Sequence, residues 1–150
     1  SGVTLSASTV YAFESVVSFI KTAGTTSHNL LLSFGGTATV NNIGYLVIEF
    51  DNAGAVNTRV PSSSTGLASG MTYITQTSAT LVSASAMTLA NQTVLLTTRG
   101  TVSVNAGGTF IPQYSLSAAP GGAYTVQAGN YFLIYPVGAS GANTSVGTWA

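Results

Sequence analysis

Charge is what this sequence has least of. Three Lys or Arg and three Asp or Glu make up 4% of its 150 residues, and the formal net charge is zero. An ordinary soluble domain carries roughly 25% charged residues. The three cations, Lys21, Arg59 and Arg99, are far apart in sequence. They argue against a nucleic-acid partner, which needs several Lys or Arg on one face to neutralise phosphates. Cysteine is absent, so disulfides and thiolate metal sites are excluded. Long apolar runs are absent too. Thr, Ser, Gly and Asn interrupt every apolar stretch well short of the ~18 residues that a membrane helix requires. No basic segment followed by an apolar one opens the given sequence, and its start at Ser1 without Met leaves processing open. Neither a membrane nor a cofactor is expected as a partner.

A chain this poor in ions, with a positive mean hydropathy, associates readily, because little charge repulsion keeps copies apart. With lipid disfavoured, the expectation is that other protein copies cover much of its surface. At 150 residues it has the length of one domain with a continuous core. No linker or composition break divides it, so residues 1–150 are read as a single domain.

What is present is alternation. From Val94 to Asn105, Val94, Leu96, Val102 and Val104 share one face, and Leu95, Thr97, Arg99, Thr101, Ser103 and Asn105 share the other. That period of two marks a strand with one buried face. Gly100 in its middle suggests a bend or bulge. After Gly107-Gly108, Phe110, Pro112, Tyr114 and Leu116 alternate with polar neighbours. Pro112 donates no ladder hydrogen bond, which places this strand at an edge or a bulge. Val10 to Lys21 reads as one long strand, with Tyr11, Phe13, Val17 and Phe19 on one face and Val10, Ala12, Val16 and Ile20 on the other. Tyr131 to Tyr135 is apolar on both faces, as is expected of a strand covered on both sides. Shorter strands are expected at Leu30–Phe34, Ile43–Asp51, Met71–Ile74, Leu81–Val82 and Thr144–Trp149. Turns are expected at Gly24–Ser27, Asp51–Gly54 and Pro120–Gly122, and a Ser- and Gly-rich loop over Pro61–Gly70. Many short strands with regular turn signals, and no good helix, predict an all-β antiparallel jelly roll or β-sandwich.

The ionisable groups offer little chemistry. Catalysis usually needs a tuned acid–base pair or an activated nucleophile. The sequence has one histidine, His28, in a turn-rich stretch, and no Gly-x-Ser-x-Gly elbow. His28 is read as a hydrogen-bonded or exposed loop residue, and the chain is not expected to be an enzyme. Glu49 and Asp51, two apart on a strand, share a face. They are read as a solvated strand end before an Asx turn, in preference to a calcium site completed by Asn52, because the oxygen-rich spacing of a calcium loop is missing. Glu14 lies among apolar residues, where a carboxylate is costly unless paired or exposed. Arg59 or Arg99 can pair with it, and Glu14–Arg99 is taken as the candidate ion pair. Aromatic residues fall mostly at alternating strand positions, which favours packing over a sugar platform. Tyr45, Tyr73, Tyr124 and Trp149 lie nearer turns or termini. The sequons Asn91-Gln92-Thr93 and Asn143-Thr144-Ser145 matter only in a chain secreted by a eukaryote.

Two groups of motifs carry a resemblance. The first is Tyr11-Ala12-Phe13-Glu14, Gly24-Thr25-Thr26-Ser27-His28 and Phe34-Gly35-Gly36-Thr37-Ala38-Thr39. The second is Arg99-Gly100-Thr101-Val102, Gly108-Thr109-Phe110-Ile111-Pro112-Gln113, Ser117-Ala118-Ala119-Pro120-Gly121-Gly122 and Gly129-Asn130-Tyr131-Phe132. Over most of its length the chain resembles a widespread module of tailed-bacteriophage virion proteins. Its end, Gly129-Asn130-Tyr131 and Gly147-Thr148-Trp149, is similar more loosely to tumour-necrosis-factor and C1q-like jelly rolls. The resemblance implies a compact homotrimer with aromatic strands against the three-fold axis, and it carries over no catalytic residue. The expected subunit interface is Tyr11, Phe13, Phe19, Tyr131, Phe132 and Tyr135. The expected role is capsid decoration protein, cement protein or head-fibre subunit. Its partners would be its own copies and the major capsid protein or other virion proteins. The alternative is the receptor-binding tip of a tail fibre, with a host surface glycan as ligand.

Overall fold

The computed structural model describes residues 2–51, 71–83 and 86–140. Arg59, Asn52, the loop at Pro61–Gly70, the sequon at Asn143 and the expected strand at Thr144–Trp149 lie outside them, as do the last three residues of the turn at Asp51–Gly54.

Ten strands follow in order: β1 (Val3–Leu5), β2 (Thr9–Lys21), β3 (Leu30–Gly35), β4 (Thr39–Asp51), β5 (Met71–Ile74), β6 (Thr80–Leu81), β7 (Thr93–Ala106), β8 (Gly108–Leu116), β9 (Tyr124–Val126) and β10 (Tyr131–Ala139). Among the described residues every strand pairing is antiparallel. The smaller sheet has the order β1-β8-β3-β6. The larger has the order β10-β2-β7-β4-β5, with β9 also paired to β2. No helix occurs among the described residues.

The two sheets stack as a sandwich because their alternating residues meet. Phe13 and Tyr45 from the larger sheet face Phe34 and Phe110 from the smaller one. Phe13 lies 5.2 Å from Phe34 and 6.2 Å from Phe110, centroid to centroid, and Phe34 stacks on Phe110 at 4.7 Å. Val94, Leu96, Val102 and Val104 of β7 fill the same layer, as the period of two requires. Glycine in the middle of β7 serves this packing. The register runs unbroken through Gly100 on both sides, opposite Phe13 and Tyr45, so the expected bulge is not there. A Cβ at Gly100 would come within 2.3 Å of the Gly44 carbonyl oxygen and 2.4 Å of the Tyr45 Cβ. The glycine lets neighbouring backbone and the Tyr45 side chain approach, the other standard use of a strand glycine.

Pro112 sits where its chemistry allows. β1 covers β8 only at Gly108–Phe110, so beyond Phe110 that side of β8 is a free edge. β9 and β10 share one edge of β2, at Phe19–Lys21 and at Thr9–Val16 respectively. Among the described residues no strand lies beyond β10. The uncovered part of β8 and the whole of β10 thus leave an edge of each sheet without a described partner strand.

Candidate functional site: the outer face of the larger sheet

The core takes three of the six residues expected at a subunit interface. Tyr11, Phe13 and Phe19 are buried within the single chain. Their shared face of β2 is the inner one, opposite Phe34 and Phe110, so they are unavailable to a neighbour. Phe132 also points inward, 5.9 Å from Phe13, and is half-buried. Tyr131 and Tyr135 point the other way and remain 47% exposed each. Between and beyond them, Leu133 is 48% and Val137 54% exposed. Within one chain, therefore, β10 is covered only in part on its inner side, and its outer row is open.

The register extends this row across the sheet. Tyr131, Leu133 and Tyr135 lie opposite Val16, Glu14 and Ala12 of β2. These in turn lie opposite Thr97, Arg99 and Thr101 of β7, and then Ile48, Leu46 and Gly44 of β4. Met71 and Tyr73 of β5 close the series, opposite Ile48 and Leu46, and both are exposed. The outer face is thus an apolar and Thr-rich surface with one carboxylate and one guanidinium side by side at its centre.

Glu14 and Arg99 are direct cross-strand neighbours, as the candidate pair needs, but their charged ends do not close into an ion pair. Glu14 Oε1 instead accepts a long hydrogen bond from the Tyr131 hydroxyl at 3.5 Å. A recess of about 220 Å³ opens between the two charged residues, bounded by Ala12, Gly100, Thr101 and Tyr135. Both charges are therefore still available to a ligand or a partner, and among the described residues no other charged side chain lies on this face.

The remaining candidates lie elsewhere. His28 is buried. Its Nδ1 lies 2.8 Å from the Thr26 carbonyl oxygen, which only accepts, so Nδ1 carries the proton. In the neutral ring, Nε2 then accepts from the Tyr124 hydroxyl. Burial pushes the Tyr124 hydroxyl pKa up. His28 is thus a strut between β9 and the connector before β3, a hydrogen-bonded loop histidine as the sequence reading allows, but a buried one. Glu49 is likewise buried, on the inward parity of Ile43, Tyr45 and Val47, so it is no solvated strand end. The side chain of Asp51 is outside the described structure. Tyr45 belongs to the core and not to a turn, and burial raises its hydroxyl pKa to about 12. Tyr73 lies in β5 and is exposed.

Sequence reasoning passed over Lys21. It is fully buried, and its Nζ has no hydrogen-bond partner, as is also true of the Gln92 Nε2. The signal was available: Lys21 continues the parity of Phe13 and Phe19. Among the described residues no group of three or more His, Cys, Asp or Glu lies together in a way that can hold a metal ion.

No family model matches the chain, and neither a curated protein nor a solved structure matches it.

Proposed function

We propose that this chain is a non-enzymatic structural subunit of a phage particle, a jelly-roll domain that assembles as a homotrimer and decorates, cements or extends the capsid surface. The observation that carries the assembly reading is the outer row of β10. Four apolar side chains in line, each about half exposed, border a strand edge that no described strand covers, in a chain with 4% charged residues. Such edges are normally guarded by charge or covered, and apolar patches of this kind mark protein contacts. The jelly-roll reading is supported by the way the chain crosses between sheets. β1, β3, β6 and β8 belong to one sheet, while β2, β4, β5, β7, β9 and β10 belong to the other. The virion reading rests on the motifs around Phe13, Arg99, Gly108 and Gly129. Its partners are further copies of the chain and the major capsid protein or a neighbouring virion protein.

Two experiments separate the parts. Light scattering on the isolated chain should return three times the 15.1 kDa mass, and a stable monomer at high concentration removes the assembly role. Antibody against the chain should label the outside of intact particles from a producing lysate. An assembled chain that labels no particle would leave a trimer but remove the virion.

A second reading is favoured by the recess between Glu14 and Arg99. An aromatic wall at Tyr135 beside two unpaired ions suits stacking and hydrogen bonding of a sugar ring. That reading makes the domain the glycan-binding tip of a tail fibre. A glycan array with no ligand for the assembled protein removes it.

A further inference from the structure

Between the sheets lies an apolar slot of about 130 Å³ that the assembly reading does not use. It opens where both sheets are open, between Pro112 and Tyr114 of β8 on one side and Val126 of β9 and Phe132 of β10 on the other. Its inner wall is made by Leu96, Phe34 and Phe19, with Tyr114 packed against Phe19 at 4.6 Å across the mouth. Cavities of roughly 150 Å³ with apolar walls hold one benzene-sized molecule, so the slot has the volume of one six-membered ring.

Besides Gln113 of β8, two hydroxyl side chains interrupt the apolar lining. Ser15 of β2 and Thr98 of β7 are direct cross-strand neighbours. They are 7% and 2% exposed, and both line the slot. Neither hydroxyl has a hydrogen-bond partner among the described residues. Neither oxygen is among the fully buried polar atoms without a hydrogen-bond partner, so both hydroxyls reach the surface of the slot, where a ligand can pair with them. The inner parity of β2 and β7 is otherwise strongly apolar around these positions, with Phe13 and Val17 flanking Ser15 and with Leu96 flanking Thr98. Packing alone would be served as well by Ala and Val there. Adjacent unpaired hydroxyls at the base of a ring-sized apolar slot form a built recognition site. It has hydrophobic walls for the body of a ligand and a donor–acceptor pair for one polar substituent, as small-molecule sites generally do.

We propose that this slot binds a small neutral molecule with a single six-membered ring and one hydroxyl group, of the phenol class. The ring sits among Phe19, Phe34 and Phe132, and the hydroxyl reaches Ser15 and Thr98. The proposal is independent of the virion reading, because the mouth lies at the sandwich edge and not on the outer face of the larger sheet.

The test is a titration of the isotope-labelled, assembled protein with phenol and, separately, with benzene, followed by amide chemical shifts. Saturable phenol shifts are expected at Ser15, Leu96, Thr98 and Val126. Ser15→Ala and Thr98→Val, both nearly isosteric, should each weaken phenol about fivefold, the size of one net hydrogen bond, and leave benzene binding unchanged or tighter. Unchanged amide spectra of the free variants would confirm their fold. Four results overturn the proposal: no saturable phenol shifts; shifts confined to the outer face; phenol affinity indifferent to both substitutions; or dissociation of the assembly by phenol, which would put a neighbouring copy's side chain in the slot.

Discussion

Replacing Leu133 by Glu should take the assembly apart while leaving the single chain folded. Leu133 stands in the middle of the open row of β10, 48% exposed, directly opposite Glu14. Fully burying a Leu side chain contributes about 1.5–3 kcal/mol, so covering its exposed half contributes about 1 kcal/mol per contact. A carboxylate there forfeits that gain. It must also lose water in the contact beside the Glu14 carboxylate, at a cost of several kcal/mol. A total of about 3 kcal/mol per contact weakens each interface about a hundredfold. The three equivalent contacts of a ring would lose about 9 kcal/mol, on the order of a millionfold in the overall association constant. The isolated chain should barely respond, since surface substitutions usually change stability by about 0.5 kcal/mol or less. Leu133→Lys is the control. It faces Glu14 with the opposite charge, so it should be tolerated in the monomer yet still weaken the assembly. Sedimentation across a concentration series reads the association, and denaturant unfolding of dilute protein reads the monomer. Two outcomes would refute the reasoning: wild-type protein sedimenting as a monomer at every concentration, or both variants assembling with wild-type midpoints.

Three further expectations concern the fold that holds this face. The Tyr45 pKa of about 12 lies above its ordinary value of 10 because the hydroxyl is buried. Unfolded chains therefore ionise first. The stabilisation is complete below pH 10 and is lost as pH rises from 10 towards 12, up to about 2–3 kcal/mol. The denaturant midpoint of wild type should fall relative to that of Tyr45→Phe over that range, and parallel curves would count against the assignment. Gly100→Ala should destabilise by several kcal/mol, because the new methyl meets the Gly44 carbonyl oxygen at 2.3 Å and overpacked interiors relax poorly; a loss below about 1 kcal/mol means that the two strands separate more easily than their register suggests. Lys21→Met should raise the thermal midpoint, since it removes a buried ammonium with no hydrogen-bond partner and keeps the aliphatic volume; a lower midpoint would reveal a contact for Nζ.

Alternation made much of this legible. The long strands β2, β7 and β8 are in the sequence because their periods of two run for nine or more residues, and Pro112 announced a free edge. β1 and β9 were not legible, because three residues are too few for a period to show. Tyr45 and Glu49 were misplaced although they share the parity of Ile43 and Val47. Tyr45 stands near the start of its strand, and a terminal acid reads as solvated. The aromatic interface failed for a deeper reason. Alternation says which residues of β2 share a face, but not which face meets the second sheet. That depends on Phe34 and Phe110 arriving from strands distant in sequence. The adjacency of Glu14 and Arg99 is likewise a product of long-range register. Ser15 and Thr98 were invisible as a pair for the same cause.

The open row also carries a directional argument. Natural edge strands are protected by charge, by proline or by a bulge that turns the edge away. β10 has two of these devices, Pro136 and a register shift between Pro136 and Gly138, and both lie in its second half. The first half, Tyr131 to Tyr135, has neither, and no charge of its own. An edge guarded at one end and bare at the other admits a partner at the bare end only. The bare end is also where Tyr131 draws the Glu14 carboxylate towards β10 and away from the Arg99 beside it on β7. If a second copy docks there, the guanidinium left without a counter-ion is the natural place for it to present an acceptor. Arg99→Gln should then weaken assembly more than Thr97→Val or Thr101→Val on the same strand, although all three lie on the same face. Equal effects from the three would mean that the face associates by apolar area alone.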